Sequence, residues 1–239
     1  MLRIRGLDVR IRVQGEGEPL LLLNGLTRPL ESWEPFAEAL SGRTIVSFDA
    51  PGVGGSPTPI LPLPISMLAG LAASVLDDAG FATVDVLGFS HGGAVAQQLA
   101  AQASSRVRRL VLVSTSCGVG ATPGSQDALR ARTPSEAHPW PRPDALGLLW
   151  NSLAISTWSS IAFLGAIRAP TLVVCGERDR VVPPVNSSML ARRIPGADLV
   201  MLSAGHDLQR RGPARLLVET VEPFLAASGL VPEPLTAGA

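Results

Sequence analysis

Apolar residues fall along this chain in short, nearly unbroken runs: Leu20–Leu23, Thr44–Phe48, Val84–Leu87, Leu110–Val113, Thr171–Val174 and Leu199–Leu202. A strand with one face in solvent alternates apolar and polar residues, whereas a strand covered on both faces is apolar throughout. The runs therefore predict the strands of a mainly parallel sheet. Longer stretches with helical character lie between them: Trp33 to Leu40, Ser66 to Asp78, Gly92 to Gln102 and Val185 to Arg193, with a last one near Pro213 to Ala227. Strands alternating with helices through right-handed crossovers predict a doubly wound α/β sheet, helices on both faces. Ahead of it, residues 2–14 alternate apolar and charged side chains around Gly6, the pattern of an N-terminal hairpin.

One segment breaks the rhythm. Between Cys117 and Ile167 no strand pattern occurs, and Pro123, Pro134, Pro139, Pro141 and Pro143 punctuate its first half. Its second half, Asp144 to Phe163, predicts one or two short apolar helices carrying Trp150 and Trp158. Set over the sheet's carboxyl edge, such an insertion forms a small lid. The other reading is a structureless loop, but long ones are uncommon inside compact domains. The expected organisation is a core of residues 1–117 and 168–228, a short lid insertion at 118–167 and a flexible tail at 229–239.

Length and composition narrow the function classes. A chain of 239 residues suits one α/β domain. Lysine plus arginine (20) balances aspartate plus glutamate (20), so no net field recruits nucleic acid or an anionic membrane. No stretch reaches the roughly 18 apolar residues of a membrane span, and charges interrupt the N-terminal segment. Two cysteines, Cys117 and Cys175, make no disulfide framework, which predicts a reduced, cytoplasmic protein.

The chemistry concentrates at Gly88-Phe89-Ser90-His91-Gly92-Gly93, between the run Val84–Leu87 and the helical stretch that follows. Strand, sharp turn and helix are the context of a nucleophile elbow, which lifts the serine hydroxyl to the sheet edge at a helix amino end. Gly88 and Gly92 must be small there so that strand and helix can approach. A glycine-rich turn with an ordinary serine is the bland reading; the partners of Ser90 decide against it. Of three histidines, His91 lies inside the elbow and His138 in the proline-rich segment. His206, after Leu199–Leu202 in Ser203-Ala204-Gly205-His206, is left as the base. The acid belongs after the preceding strand, where Cys175-Gly176-Glu177-Arg178-Asp179 offers Asp179, with Glu177 as the second candidate. The chain order Ser, acid, His is the one this elbow requires.

A serine hydroxyl is a weak nucleophile at neutral pH, so His206 is expected to take its proton as it attacks an acyl carbon. Asp179 is expected to hold the imidazole tautomer. The oxyanion needs two backbone N–H donors: His91, after the nucleophile, and Leu26 in the turn Asn24-Gly25-Leu26-Thr27. Leu26, Trp150 and Trp158 are the candidate substrate contacts.

Asp49-Ala50-Pro51-Gly52-Val53-Gly54-Gly55-Ser56 resembles the D-x-x-G-x-G-x-S loop of α/β-hydrolases. With Asn24-Gly25, the elbow, Gly176-Glu177-Arg178-Asp179 and Gly205-His206, the resemblance covers nearly the whole chain. The Asn-Gly turn, the Pro-Gly-Val-Gly-Gly-Ser loop and Ile167-Arg168-Ala169-Pro170-Thr171-Leu172 are most similar to intracellular poly(3-hydroxyalkanoate) depolymerases. The resemblance implies ester cleavage at Ser90 with Asp179 and His206, and no cofactor. Position 91 departs from it, being His where Trp is expected, and the lid is shorter. These departures bear on the polyester substrate, not on the acyl-enzyme chemistry. The expected partner is a small acyl ester or thioester, with an acyl carrier protein as a further donor; hydrolysis stands against transfer to a hydroxyl or amine. A non-catalytic binding module of the same fold is the reading from another class.

Overall fold

The computed structural model describes residues 1–127 and 144–227. Strands β1 (Leu2–Ile4) and β2 (Leu7–Val9) form a separate hairpin. They are followed by β3 (Ile11–Gln14), β4 (Glu18–Leu23), β5 (Arg43–Phe48), β6 (Val84–Phe89), β7 (Val107–Val113), β8 (Thr171–Gly176) and β9 (Asp198–Leu202). These last seven make one sheet in the order β3-β5-β4-β6-β7-β8-β9, with only β3 antiparallel to its neighbour. The alternating N-terminal segment is thus a hairpin only over its first part. Its last residues instead form the edge strand β3, which pairs with β5, Ile11 opposite Phe48 and Val13 opposite Val46.

The helices are α1 (Glu34–Ala39), preceded by a 3₁₀ turn at Leu30–Trp33, α2 (Ile65–Asp78), α3 (His91–Gln102), α4 (Ala145–Ser156), α5 (Pro184–Arg193) and α6 (Arg211–Ala226). The continuous apolar runs feed both sheet faces because side chains alternate along a strand. Leu21, Leu23, Val84 and Val86 join the core under α2, α3 and α5, with Leu68, Leu99 and Leu190. Leu20, Leu22, Leu87 and Phe89 join the opposite core, with Phe36 of α1 and Leu217 of α6. The sheet is therefore doubly wound, as its sequence pattern predicts. The winding reverses between β4 and β6, since β5 lies on one side of β4 and every later strand on the other. Such a switch point opens a crevice at the strands' carboxyl ends. Asn24 to Leu26 follow β4 there, and Ser90 follows β6.

The amino end of β6 carries a buried charge cluster. Asp85, fully buried, accepts from Arg108 Nε and Nη2 (both 2.8 Å) and Arg43 Nη1 (2.6 Å), with Arg109 Nη1 at 3.9 Å. Removing the carboxylate leaves guanidinium groups gathered around an uncharged site. Asp85→Ala is therefore expected to destabilise the fold by about 3 kcal/mol or more. Urea denaturation checks this; a loss below about 1 kcal/mol would show that water screens the cluster.

Helix α4 lies on the loop that follows β5. Asn151 Nδ2 donates to Pro51 O (3.0 Å) and Trp150 Nε1 to Pro59 O (3.2 Å). Asp144 caps the helix, accepting from Gly147 N. Gly147, Asn151 and Ala154 face inward, while Leu146, Leu149 and Leu153 face solvent. The chain then returns to the core at Trp158, Leu164 and Ile167. His138 and the prolines from Pro134 to Pro143 lie outside the described residues, as does the C-terminal segment 229–239. No helix among the described residues is long and apolar enough to cross a membrane.

Candidate active site

Ser90 caps the amino end of α3 with φ 53° and ψ −116°, a conformation L-residues rarely hold. Backbone bonds hold it there: Ser90 N donates to Val113 O (2.9 Å), and Ser90 O accepts from Gly93 N (2.9 Å) and Thr115 Oγ1 (2.7 Å). The tight turn brings α3 against the end of β4. A Cβ on Gly92 would meet Leu23 O and Asn24 O well inside van der Waals contact, and one on Gly88 would meet Gly92 O and Ala96. The two glycines are thus required by close approach, as the sequence predicts. Ser90 itself stays partly exposed among buried neighbours.

His206 and Asp179 come from the loops after β9 and β8, which are tied together by their backbones. Glu177 N donates to Leu202 O (2.8 Å) and Arg178 N to Ala204 O (3.0 Å). Asp179 Oδ1 accepts from Val181 N (2.9 Å) and Val182 N (2.8 Å), and Oδ2 pairs with His206 Nδ1 at 2.8 Å. Both residues are buried, at 3% and 7% exposure. A neutral imidazole donating from Nδ1 keeps Nε2 as an acceptor. That Nε2 is buried and has no hydrogen-bond partner among the described residues. The ring packs against Phe89, the residue before Ser90, with centroids 5.1 Å apart. Glu177, the second candidate acid, instead accepts from Ser203 Oγ (3.1 Å) at the surface.

The turn after β4 lies beside the elbow. Gly25 is close enough to Phe89 that a Cβ would stand 3.1 Å from its ring, and Leu26 follows half-buried. Asn24 organises this turn: Nδ2 donates to Pro29 O (2.9 Å), while Oδ1 accepts from Ser32 Oγ (2.9 Å) and Gln209 Nε2 (2.8 Å).

A protein-family model described as the alpha/beta hydrolase fold matches residues 18–142 and 140–213. The chain belongs to the α/β-hydrolase family. It is 35% identical over 219 residues to a poly(3-hydroxyalkanoate) depolymerase from Ectopseudomonas oleovorans, covering 79% of this chain and 77% of that one. A hydrolase structure from Pseudomonas aeruginosa PA01 superposes with a TM-score of 0.82 at 27% identity, covering 95% of this chain and 97% of that one. The enol-lactonase of Burkholderia xenovorans LB400 also reaches 0.82, at 24% identity over 95% of this chain and 99% of that one, and shares the fold.

Within this α/β-hydrolase, Ser90, His91, Asp179, His206 and the turn of Leu26 gather at one end of the sheet, and Trp150 lies at its margin. Trp150 lines a small cavity with Pro51, Pro59, Leu63, Leu68 and Asn151. Trp158 is not brought to the crevice. It is buried in the core, with Nε1 donating to Gln98 Oε1 (2.8 Å) and its ring edge-on to Phe163. Its place follows from the neighbouring Ser160, whose Oγ donates to buried Gln97 Oε1 (2.7 Å) and pins the segment to α3.

Several supporting residues were not visible in the motifs. Arg28, 3% exposed, pairs with Asp207 and stands over the Phe89 ring at 5.7 Å, joining the Leu26 turn to the His206 loop. Gln209 makes a second such tie through Asn24. Thr115 bonds the Ser90 carbonyl. The one sequence signal for Asp207 and Gln209 is their closeness to His206; nothing local marks Arg28.

His91 is 6% exposed, and burial pushes its imidazole down to about 4. Both folded and unfolded states hold it neutral above about pH 6.5; between there and pH 4 only the unfolded state takes the proton. Stability is therefore lost as pH falls through that window, with His91 contributing about 2 to 3 kcal/mol of the loss by pH 4.5. His91→Phe is expected to flatten the difference in unfolding free energy between pH 7 and pH 4.5 by that amount. An unchanged difference would mean that the ring is solvated in the folded state.

Proposed function

We propose that the hydrolase cleaves a carboxylic ester or thioester through an acyl-Ser90 intermediate. The observation that carries this reading is His206: Nδ1 is committed to Asp179, and Nε2 is buried without a partner among the described residues, in a ring packed on Phe89 beside Ser90. In the first half-reaction Ser90 Oγ attacks the acyl carbon and its proton passes to His206 Nε2. The backbone N–H groups of His91 and Leu26 stabilise the oxyanion. Collapse breaks the bond to the leaving oxygen or sulfur, which takes the proton from Nε2. In the second, water attacks the acyl-enzyme and gives its proton to Nε2; collapse returns it to Ser90 and frees the acid. The absence of a hydrogen bond from Ser90 to Nε2 is compatible with this, because catalytic contacts tighten when substrate binds. The match to the depolymerase supports an ester as the scissile group.

The test is intact-protein mass spectrometry after exposure to a fluorophosphonate and to a panel of p-nitrophenyl esters and acyl thioesters. One adduct on Ser90 is expected, with acyl forms that decay in buffer. A protein left unlabelled would overturn the reading in favour of a binding module. An acyl form that persists in buffer and clears only with an added alcohol, amine or carrier thiol would replace hydrolysis by transfer.

A further inference from the structure

We propose that the His91 side chain selects the acyl group, favouring chains that carry a neutral hydrogen-bonding oxygen, a hydroxyl or an oxo group, over plain alkyl chains. This inference rests on Ser90 being the acylated residue. His91 follows Ser90, and its ring lines a cavity between the elbow and Asn24, walled by Leu23, Phe48, Ala50, Leu68 and Val95. Its Nε2 is buried with no partner among the described residues. An unsatisfied buried nitrogen is unfavourable, and an apolar ring of similar size would avoid the penalty. A polar atom in that place is explained by a ligand that completes its hydrogen bond.

Water is a poor candidate for that ligand. A buried water needs two to four polar partners. Besides His91, the one polar side chain lining the cavity among the described residues is Asn24, whose Nδ2 already donates to Pro29 O and whose Oδ1 accepts from Ser32 Oγ and Gln209 Nε2. A substituent tethered to the acyl chain is held covalently and needs only the one partner. Its chemistry follows from the walls. The imidazole is held neutral by burial and no cation among the described residues lines the cavity, so a carboxylate is disfavoured. Neutral imidazole offers one donor and one acceptor nitrogen, which suits hydroxyl and oxo groups. Leu68 also lines the cavity that contains Trp150, so the two cavities share an apolar wall.

The experiment compares wild type, His91→Phe and His91→Gln on N-acetylcysteamine thioesters. The acyl groups are hexanoyl and hexanoyl bearing a hydroxyl or oxo group at each of carbons 3, 4 and 5. The readout is the ratio of kcat/KM for each substituted thioester to that for hexanoyl, which cancels any effect on the shared backbone donor. At least one substituted thioester is expected to be preferred by wild type about five- to tenfold, the worth of one hydrogen bond. His91→Phe should erase that preference and His91→Gln should recover part of it. Equal ratios in wild type and His91→Phe would overturn the proposal. Fluorophosphonate labelling of Ser90, run in parallel, separates the outcomes: labelling with unchanged ratios rejects the role of His91 alone, whereas no labelling in wild type rejects the acyl-enzyme itself. Should His91→Phe not fold, the ring-nitrogen NMR shifts of wild-type His91 decide. They should move in a Ser90 adduct formed from a hydroxyalkyl fluorophosphonate and not in its alkyl counterpart. Identical shifts in the two adducts would reject the proposal.

Discussion

Ser90→Ala is expected to lower turnover by on the order of 10³-fold or more while leaving thermal unfolding nearly unchanged. The fold tolerates the change because Ser90 is held through its backbone, by Val113 O, Gly93 N and Thr115 Oγ1, and alanine keeps those bonds. The strain at φ 53° belongs to the backbone, so it is inherited rather than created. His206→Ala should cost about as much, and the double variant little more, because groups acting in one step are not additive. Steady-state kinetics with the best ester of the panel checks both. Near-wild-type turnover by Ser90→Ala would remove the nucleophile from the mechanism.

Asp179→Asn is expected to reduce turnover by on the order of 10⁴-fold. The geometry says why the amide cannot substitute. Asp179 Oδ1 accepts from two backbone N–H groups, Val181 and Val182, so the amide oxygen must stay on that side. The NH₂ group then faces His206 Nδ1, which must become an acceptor, and the ring proton moves to Nε2. An imidazole protonated at Nε2 cannot take the serine proton. Glu177 accepts from Ser203 at the surface, so Glu177→Gln should leave turnover within about twofold. The reverse ranking would assign the acid to Glu177.

Much of this was legible along the chain because its causes are local. Continuous apolar runs identify strands covered on both faces, and the structure feeds Leu20 and Leu22 to one core and Leu21 and Leu23 to the other. The glycines around Ser90 declare a turn too tight for side chains. The order of Ser90, Asp179 and His206 along the chain follows from the loops that end β6, β8 and β9.

What tertiary structure alone decided depends on residues far apart in sequence. Nothing local marks Arg28, yet it is buried beside Phe89 and paired with Asp207, 179 residues away. Trp150 and Trp158 look alike in an apolar segment. Only the path of the chain past Gln97 and Gln98 puts Trp158 in the core, while Trp150 remains at a cavity. His91 shows in sequence as one more polar residue in an elbow. Its Nε2 has no hydrogen-bond partner among the described residues because the walls around it are mostly apolar side chains brought together from β4, β5, α2 and α3. Local pattern determines which elements form and where the strained turn falls. The surroundings of each side chain are set by which elements the sheet order makes neighbours, and no periodicity in a single segment encodes that.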